Sequence, residues 1–399
     1  MTIQVQEPKV RPSISEKRPN LAIVIPLYNM RSRYTKTEEF TSVLEHYSEL
    51  ADKHRNSLEF HLVDDGSTDQ SQELLRPFDL TNLNIHYLSK NAQKIGAIKH
   101  VLERLDPNIR FILHTDFDCK FKPGSLENAL KHTDELDLNP NLGGFGLRVV
   151  PEDTNTVLGA FQDLEYGIGR FSYILLKREG RVRCVGGAGG LWRKSTYEEG
   201  LRSHSGMFIS EDMEQTAHIM NNGHSICYAS DVILTTKTPT TLKDLIKQRI
   251  RWAKGALYSY NNANGFYQGQ VLKFLPRKSL HGLMSLVQMA TLSLTPGWVL
   301  FAGSKLIDAD IDTATRIYGL GLGINAGLSA LAHNEFSNPK KAWSVLPLSP
   351  LLETGVYFSA HAVAYGQFVK ERFTYNKRKI KDLTDFNFDV DLKSTLAGV

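Results

Sequence analysis

Short apolar runs alternate with amphipathic stretches over the first part of the chain. LAIVI (residues 21–25), LEFHLV (58–63), IHYL (85–88) and FILH (111–114) are too short for buried helices and read as strands. Between them, residues 37–51, 69–75 and 94–105 carry a helical spacing of apolar positions. This alternation predicts an α/β fold, a mixed and mainly parallel sheet flanked by helices. Such a sheet binds ligands just beyond the carboxyl ends of its strands.

That rule sorts the polar residues. PLYN (26–29) follows the first strand, DDGS (64–67) the second and TDFD (115–118) the fourth, so two pairs of carboxylates gather at one rim. Asp116 and Asp118, two residues apart, could both reach one hard divalent cation, Mg²⁺ or Mn²⁺, together with diphosphate oxygens. The same pair also suits a solvated turn. In Asp64-Asp65-Gly66-Ser67-Thr68-Asp69, Asp65-Gly66 can make a tight turn and Asp69 can cap the helix that follows. Asp65, pointing off the sheet edge, could accept a hydrogen bond from a base or a ribose hydroxyl.

Beyond about residue 150 the pattern mixes helices with a glycine-rich stretch, CVGGAGGLW (184–192). Ser210-Glu211-Asp212 precedes the helical MEQTAHIMNN. These carboxylates either cap that helix or let Asp212 act as a general base toward a hydroxyl. QRIRW lies in a helical pattern over residues 242–257, where Gln248, Arg251 and Trp252 share a face. The guanidinium suits diphosphate oxygens and the indole suits the apolar face of a sugar. Taken alone, the motif is also an ordinary amphipathic helix with a half-buried tryptophan.

The C-terminal third is apolar in blocks. Residues 280–302 contain no Asp, Glu, Lys or Arg and reach the length of a membrane span, though His281, Gln288 and Pro296 interrupt them. Residues 317–332 are shorter and glycine-rich, and residues 343–369 carry Pro347, Pro350 and Glu353. Lys273, Arg277 and Lys278 precede the first block, Asp308, Asp310 and Asp312 follow it, and Lys340 and Lys341 follow the second. This arrangement predicts a two-span hairpin with the preceding domain in the cytosol, the third block lying in the interface or folding back. A helical subdomain packed on the first domain is the competing expectation.

Composition narrows the picture. A net charge of +4 over 399 residues argues against nucleic-acid binding. Three cysteines without a CxxC pair give neither a disulfide framework nor a zinc site. The expected division is a disordered lead-in at 1–20, a catalytic domain at 21–260 and an interfacial linker at 261–279. An apolar, membrane-associated helical region at 280–370 and a basic then acidic tail at 371–399 complete it.

In order, VIPLYN, VDDGSTD, TDFD, GGAGG, SED and QRIRW resemble the family 2 inverting glycosyltransferases of GT-A (Rossmann-like) fold. The resemblance covers roughly residues 21–260. It is strongest to the branch with cellulose, chitin, hyaluronan and poly-N-acetylglucosamine synthases. It implies that Pro26, Tyr28, Asp64 and Asp65 frame the nucleotide base and that Lys94 lies near the nucleotide. Asp116 and Asp118 would hold the metal and diphosphate, and Asp212, with Glu211 beside it, would be the catalytic base. Gly187, Ala188, Gly189, Glu165 and Tyr166, with Gln162 near them, would line the acceptor site. Gln248, Arg249, Arg251 and Trp252 would hold the diphosphate and the acceptor terminus. The implied enzyme moves a sugar from a nucleoside diphosphate, UDP above all, to a glycan or lipid-linked hydroxyl, using Mg²⁺ or Mn²⁺ at the cytosolic face of a membrane. It would build a β-linked polysaccharide or add a single sugar. A nucleotidyltransferase would need a basic, glycine-rich loop after the first strand, and VIPLYNM has none. A non-catalytic sugar-nucleotide binder is opposed by the filled catalytic positions.

Overall fold

The computed structural model describes residues 19–34, 36–80, 82–205, 210–261, 273, 275–288, 290 and 311–375. The expected lead-in up to residue 18, most of the first apolar block, Asp308, Asp310 and the tail from residue 376 lie outside the described residues.

Eight strands form one sheet: β1 (Leu21–Leu27), β2 (Leu58–Asp64), β3 (Leu83–Tyr87), β4 (Phe111–Thr115), β5 (Cys119–Phe121), β6 (Leu142–Pro151), β7 (Gly189–Arg193) and β8 (Ser225–Thr236). Their order is β3-β2-β1-β4-β7-β6-β8-β5. The first four pair in parallel with one another, β7 runs antiparallel between β4 and β6, β6 and β8 are parallel, and β5 pairs antiparallel with β8.

Alternate side chains of β1 point to opposite faces of the sheet, and both faces are covered. Leu21, Ile23 and Ile25 pack with Phe40, Leu44 and Tyr47 of α1 (Thr37–Lys53). Ala22 and Val24 pack with Ile98 and Val101 of α3 (Gln93–Leu102), after the short α2 (Ser71–Leu75). The strands expected from the apolar runs are present, with ends shifted by no more than two residues. The chain continues through α4 (Ser125–Leu138), α5 (Val157–Leu176), α6 (Lys194–Arg202), α7 (Glu211–Asn221) and α8 (Leu242–Asn261).

The C-terminal helices α9 (Ile311–Leu331), α10 (Pro339–Val345) and α11 (Ser349–Tyr375) pack against this domain. Ala160, Phe161 and Leu164 of α5 share a core with Phe336, Val345 and Val356. Ala253 and Leu257 of α8 share another with Ala364 and Phe368. Polar contacts reinforce the seam. Both Asp163 carboxylate oxygens accept backbone N–H groups, from Ser337 at 2.9 Å and Asn338 at 2.8 Å. Buried Glu335 accepts from Arg170 Nε at 3.3 Å and from the Tyr228 hydroxyl at 2.7 Å.

The expected membrane hairpin gains no support from the described residues, and most of its first span lies outside them. No helix among the described residues is long and apolar enough to cross a membrane. The polar groups that interrupt the apolar blocks are paired inside the helical unit. Asn325 Nδ2 donates to Ser349 Oγ at 2.8 Å and to Glu353 Oε2 at 3.0 Å. Pro347 and Pro350 sit where one helix ends and the next begins, a position proline tolerates. Among the described residues, Phe336, Val345, Val356, Ala364 and Phe368 lie on inward faces of packed helices, while Ile317, Leu320, Ile324 and Leu331 are exposed.

Candidate functional site

The carboxyl ends of β1, β2 and β4 meet at one rim, with Leu27 in register with Asp64 and Thr115 with Gly189. The loops after β1 and β2 are stitched together. Asn29, at φ +49°, donates its N–H to Ser67 Oγ at 2.9 Å and accepts from Thr68 N at 2.7 Å. Asp69 accepts from Ser32 N at 2.7 Å, from the Ser71 hydroxyl at 2.6 Å and from Ser71 N at 3.2 Å; the N-cap of α2 is Gln70, without a side-chain cap bond, so the expected Asp69 cap falls one residue early. Gly66 turns the chain at φ +71°, and a Cβ there would lie 2.6 Å from the Lys90 carbonyl carbon.

The Asp64-Asp65 pair faces inward rather than off the edge. Asp64 has no exposed surface and accepts from Ser67 N at 3.1 Å and from the Gln72 amide. Asp65 is buried and accepts from Ala92 N at 2.6 Å, which fixes the entry to α3. Burial pushes its carboxyl up to about 7, against the pull of the Ala92 amide. Tyr28 is the exposed side chain at this end of the rim, with Pro26 half-buried beside it.

A second acidic group forms where β4, the glycine-rich stretch and α7 converge. Lys94 Nζ donates to Asp116 Oδ1 at 2.5 Å and to the Gly187 carbonyl at 2.7 Å, and lies 4.0 Å from Glu211 Oε1. Asp212 Oδ2 accepts from Gly187 N at 3.0 Å and Oδ1 from Met213 N at 2.8 Å. A Cβ on Gly187 would come within 2.8 Å of Lys94 Nζ, so a side chain there would push the ammonium from its place. The Ala188 carbonyl accepts from the Thr115 hydroxyl at 2.8 Å, and Gly189 opens β7. Ser210, at φ +65°, donates its hydroxyl to the Gly255 carbonyl and so ties the start of α7 to α8.

Three carboxylates around one ammonium make this corner electronegative. Burial alone would lower the Lys94 pKa, but Asp116 and Glu211 hold it above its ordinary value. Burial opposes the charge on Asp116, yet Lys94 keeps its pKa low. Burial, then the neighbouring Asp212 charge, pushes Glu211 up to about 7, and burial also raises Asp212. Asp118 rises to about 6 through burial and the charge of Asp116. Raised carboxyls poised near neutrality suit proton transfer.

The donor chemistry fits a hard cation. Asp116 and Asp118 offer carboxylate oxygens, and the Asp116 side chain is 43% exposed and already faces a positive charge. Among the described residues no group of three His, Cys, Asp or Glu side chains is arranged to hold a metal ion by itself. The protein therefore offers two carboxylates, the number Mg²⁺ commonly takes when phosphate oxygens and water complete its shell.

The arginines of α8 differ. Arg249 is 1% exposed and fully engaged. Its Nε donates to Glu165 Oε1 at 3.0 Å, Nη2 to Glu165 Oε2 and Nη1 to Gln248 Oε1. The expectation that Arg249 holds diphosphate therefore meets a guanidinium committed elsewhere. Arg251 is exposed and close enough to lower the pKa of Asp116. Trp252 is 42% exposed, 4.0 Å beneath the Arg249 guanidinium and 6.3 Å from the Tyr166 ring. Gln162 is buried and donates to the Leu158 and Pro239 carbonyls, away from any opening. Tyr357 of α11, which belongs to none of the sequence motifs, donates its hydroxyl to Glu165. It lies in an apolar block far along the chain, so no local pattern marks it.

Residues 87–255 match the profile of a family described as glycosyltransferase like family 2. An N-acetylglucosaminyltransferase of Rhizobium leguminosarum bv. viciae is 24% identical over 249 residues, 59% of this chain and 55% of that protein. A poly-beta-1,6-N-acetyl-D-glucosamine synthase of Staphylococcus aureus is 27% identical over 206 residues, 49% of this chain and 47% of its own length. The chain thus spans about half the length of the curated relatives it matches. A mannosyltransferase of Pyrobaculum calidifontis, solved in complex with GDP-Man and Mn²⁺, shares the fold. Its TM-score is 0.51 at 16% identity, with 87% of each chain covered.

Proposed function

We propose that the family 2-like glycosyltransferase domain of this chain moves a sugar from a nucleoside diphosphate, UDP first, onto an acceptor hydroxyl with inversion at the anomeric carbon. The observation that carries this reading is the convergence of Asp116, Glu211 and Asp212 on Lys94 and Gly187 at the carboxyl rim of the sheet. Tyr28 would pack on the base. Lys94 and Arg251 would offset charge on the diphosphate, and Trp252 would carry the acceptor sugar.

In the reaction, Asp212 accepts the proton of the acceptor hydroxyl. The hydroxyl oxygen bonds to the anomeric carbon from the face opposite the diphosphate. The bond to the diphosphate oxygen breaks, and its electron pair leaves with the nucleotide. Mg²⁺ or Mn²⁺ held by Asp116 and Asp118 would stabilise charge on the leaving diphosphate.

The names of the matched relatives make N-acetylglucosamine the first sugar to test and a β-linked glycan the product we propose. Interfacial membrane association belongs to the same proposal. Ile317, Leu320, Ile324 and Leu331 of α9 are exposed at helical spacings, an apolar stripe suited to a lipid surface.

The test is nucleotide release from a panel of UDP- and GDP-sugars with Mn²⁺ or Mg²⁺ and a membrane-extract acceptor. Release from one donor, lost with EDTA and in Asp212→Asn, is expected. Absence of any nucleotide binding would overturn the reading. Product sizing separates chain growth from single addition, and co-flotation with liposomes tests the membrane surface.

A further inference from the structure

We infer that Tyr357 is a positioning residue, through which the C-terminal helical unit sets the orientation of the Trp252 platform. This rests on the reading of Trp252 as the acceptor surface. The chain of contacts starts on α11, where the Tyr357 hydroxyl donates to Glu165 Oε1. The same oxygen accepts from Arg249 Nε at 3.0 Å, and the second Glu165 oxygen accepts from Arg249 Nη2. The guanidinium then lies 4.0 Å from the Trp252 ring.

Each link is restrained. Arg249 is 1% exposed, with Nε and both terminal nitrogens donating, so its plane has little freedom. A two-pronged arginine–carboxylate pair fixes orientation as well as distance. A cation stacked on an indole fixes the plane of the ring. Tyr166, one residue after Glu165, adds a second aromatic neighbour at 6.3 Å. Trp252 nevertheless keeps 42% of its surface exposed, which leaves it able to receive a ligand.

Packing places the same two helices side by side. Ala253 and Leu257 of α8 are buried against Ala364 and Phe368 of α11. A rotation of α11 would therefore move the Tyr357 hydroxyl relative to Glu165 and loosen the support beneath Trp252. The helical unit acts as part of the transfer site through this chain and not only through its shared core.

The experiment uses the full chain labelled with 5-fluorotryptophan, whose four tryptophans each give a ¹⁹F resonance. Trp252→Phe assigns the resonance of interest. In Tyr357→Phe that resonance should shift or broaden while the other three hold. The acceptor KM should rise about tenfold, the scale of one lost hydrogen bond to a charged group. Nucleotide release without acceptor should not change. Glu165→Gln breaks the next link and should move the same resonance further, which keeps the test available if Tyr357→Phe folds poorly. An unmoved Trp252 resonance in both variants overturns the inference. So does a loss that falls equally on donor and acceptor constants with a lowered melting temperature, as general destabilisation would give. If no donor turns over at all, the functional reading fails, yet the resonance still decides the coupling.

Discussion

At the end of β2, Asp64 and Asp65 are both buried, and each holds a backbone turn by accepting an N–H group. At the start of α7, Glu211 and Asp212 also stand side by side, but they face a partly exposed ammonium and a glycine-lined opening. Both pairs lie at the same rim of one sheet. The first serves as scaffold; the second also accepts backbone N–H groups but stands beside the Lys94 ammonium, where the proposed reaction needs a base. Adjacent acids in a motif therefore do not share a role, because role follows from which donors and charges surround each carboxylate.

The sharpest way to break this comparison is Asp212→Asn. It should lower nucleotide release by about a hundredfold or more, the scale of lost acid–base catalysis. Calorimetry should show nucleotide binding retained. Near-normal turnover would return Asp212 to the status of a helix cap. Asp64→Ala should do the reverse. It should cost about 1–3 kcal/mol of stability, because the Ser67 amide and the Gln72 side chain lose their acceptor. Chemical denaturation measures this, and unchanged stability would remove the scaffold assignment.

Two smaller effects follow from the raised carboxyls. Turnover should increase as pH passes through about 7, where Glu211 loses its proton. Glu211→Gln removes one charge of the adjacent pair, so the limb that remains should shift to lower pH. A limb that does not move in the pH–rate profile would leave Glu211 outside the titration. Asp65 rises from an ordinary 3.8 to about 7 on folding, so the folded state binds the extra proton. Its contribution to stability is therefore full below about pH 4 and is lost as pH climbs toward 7. Asp65→Asn should gain on the unsubstituted protein across that window, as read from melting curves at each pH. A constant difference would contradict the burial of Asp65.

Much of the parallel half of the sheet is legible in the amino-acid sequence. Four apolar runs mark β1 to β4, and Asp69 stands one residue before the N-cap of α2. The helical spacing of QRIRW groups Gln248, Arg251 and Trp252, whereas Arg249, three residues before Trp252, is buried and lies against its ring. Resemblance to a family, which works motif by motif, draws Arg249 into the diphosphate set. The insertion of β7 between β4 and β6 has no such signal, because the order of strands depends on pairings across many residues. Nor can hydropathy separate a membrane span from α9 and α11. An apolar face records only that something apolar covers it.

By itself the sequence determined the elements and the tight local geometry: β1 from an unbroken apolar run and the turn at Gly66. These depend on steric and hydrogen-bond preferences that act over a few residues. Only the tertiary structure decided that Asp64 is enclosed while Asp116 is open, that Arg249 belongs to Glu165, and that the C-terminal helices lie on α5 and α8. Those outcomes depend on desolvation and on partners distant along the chain, and both exist only once the sheet has brought the strand ends together.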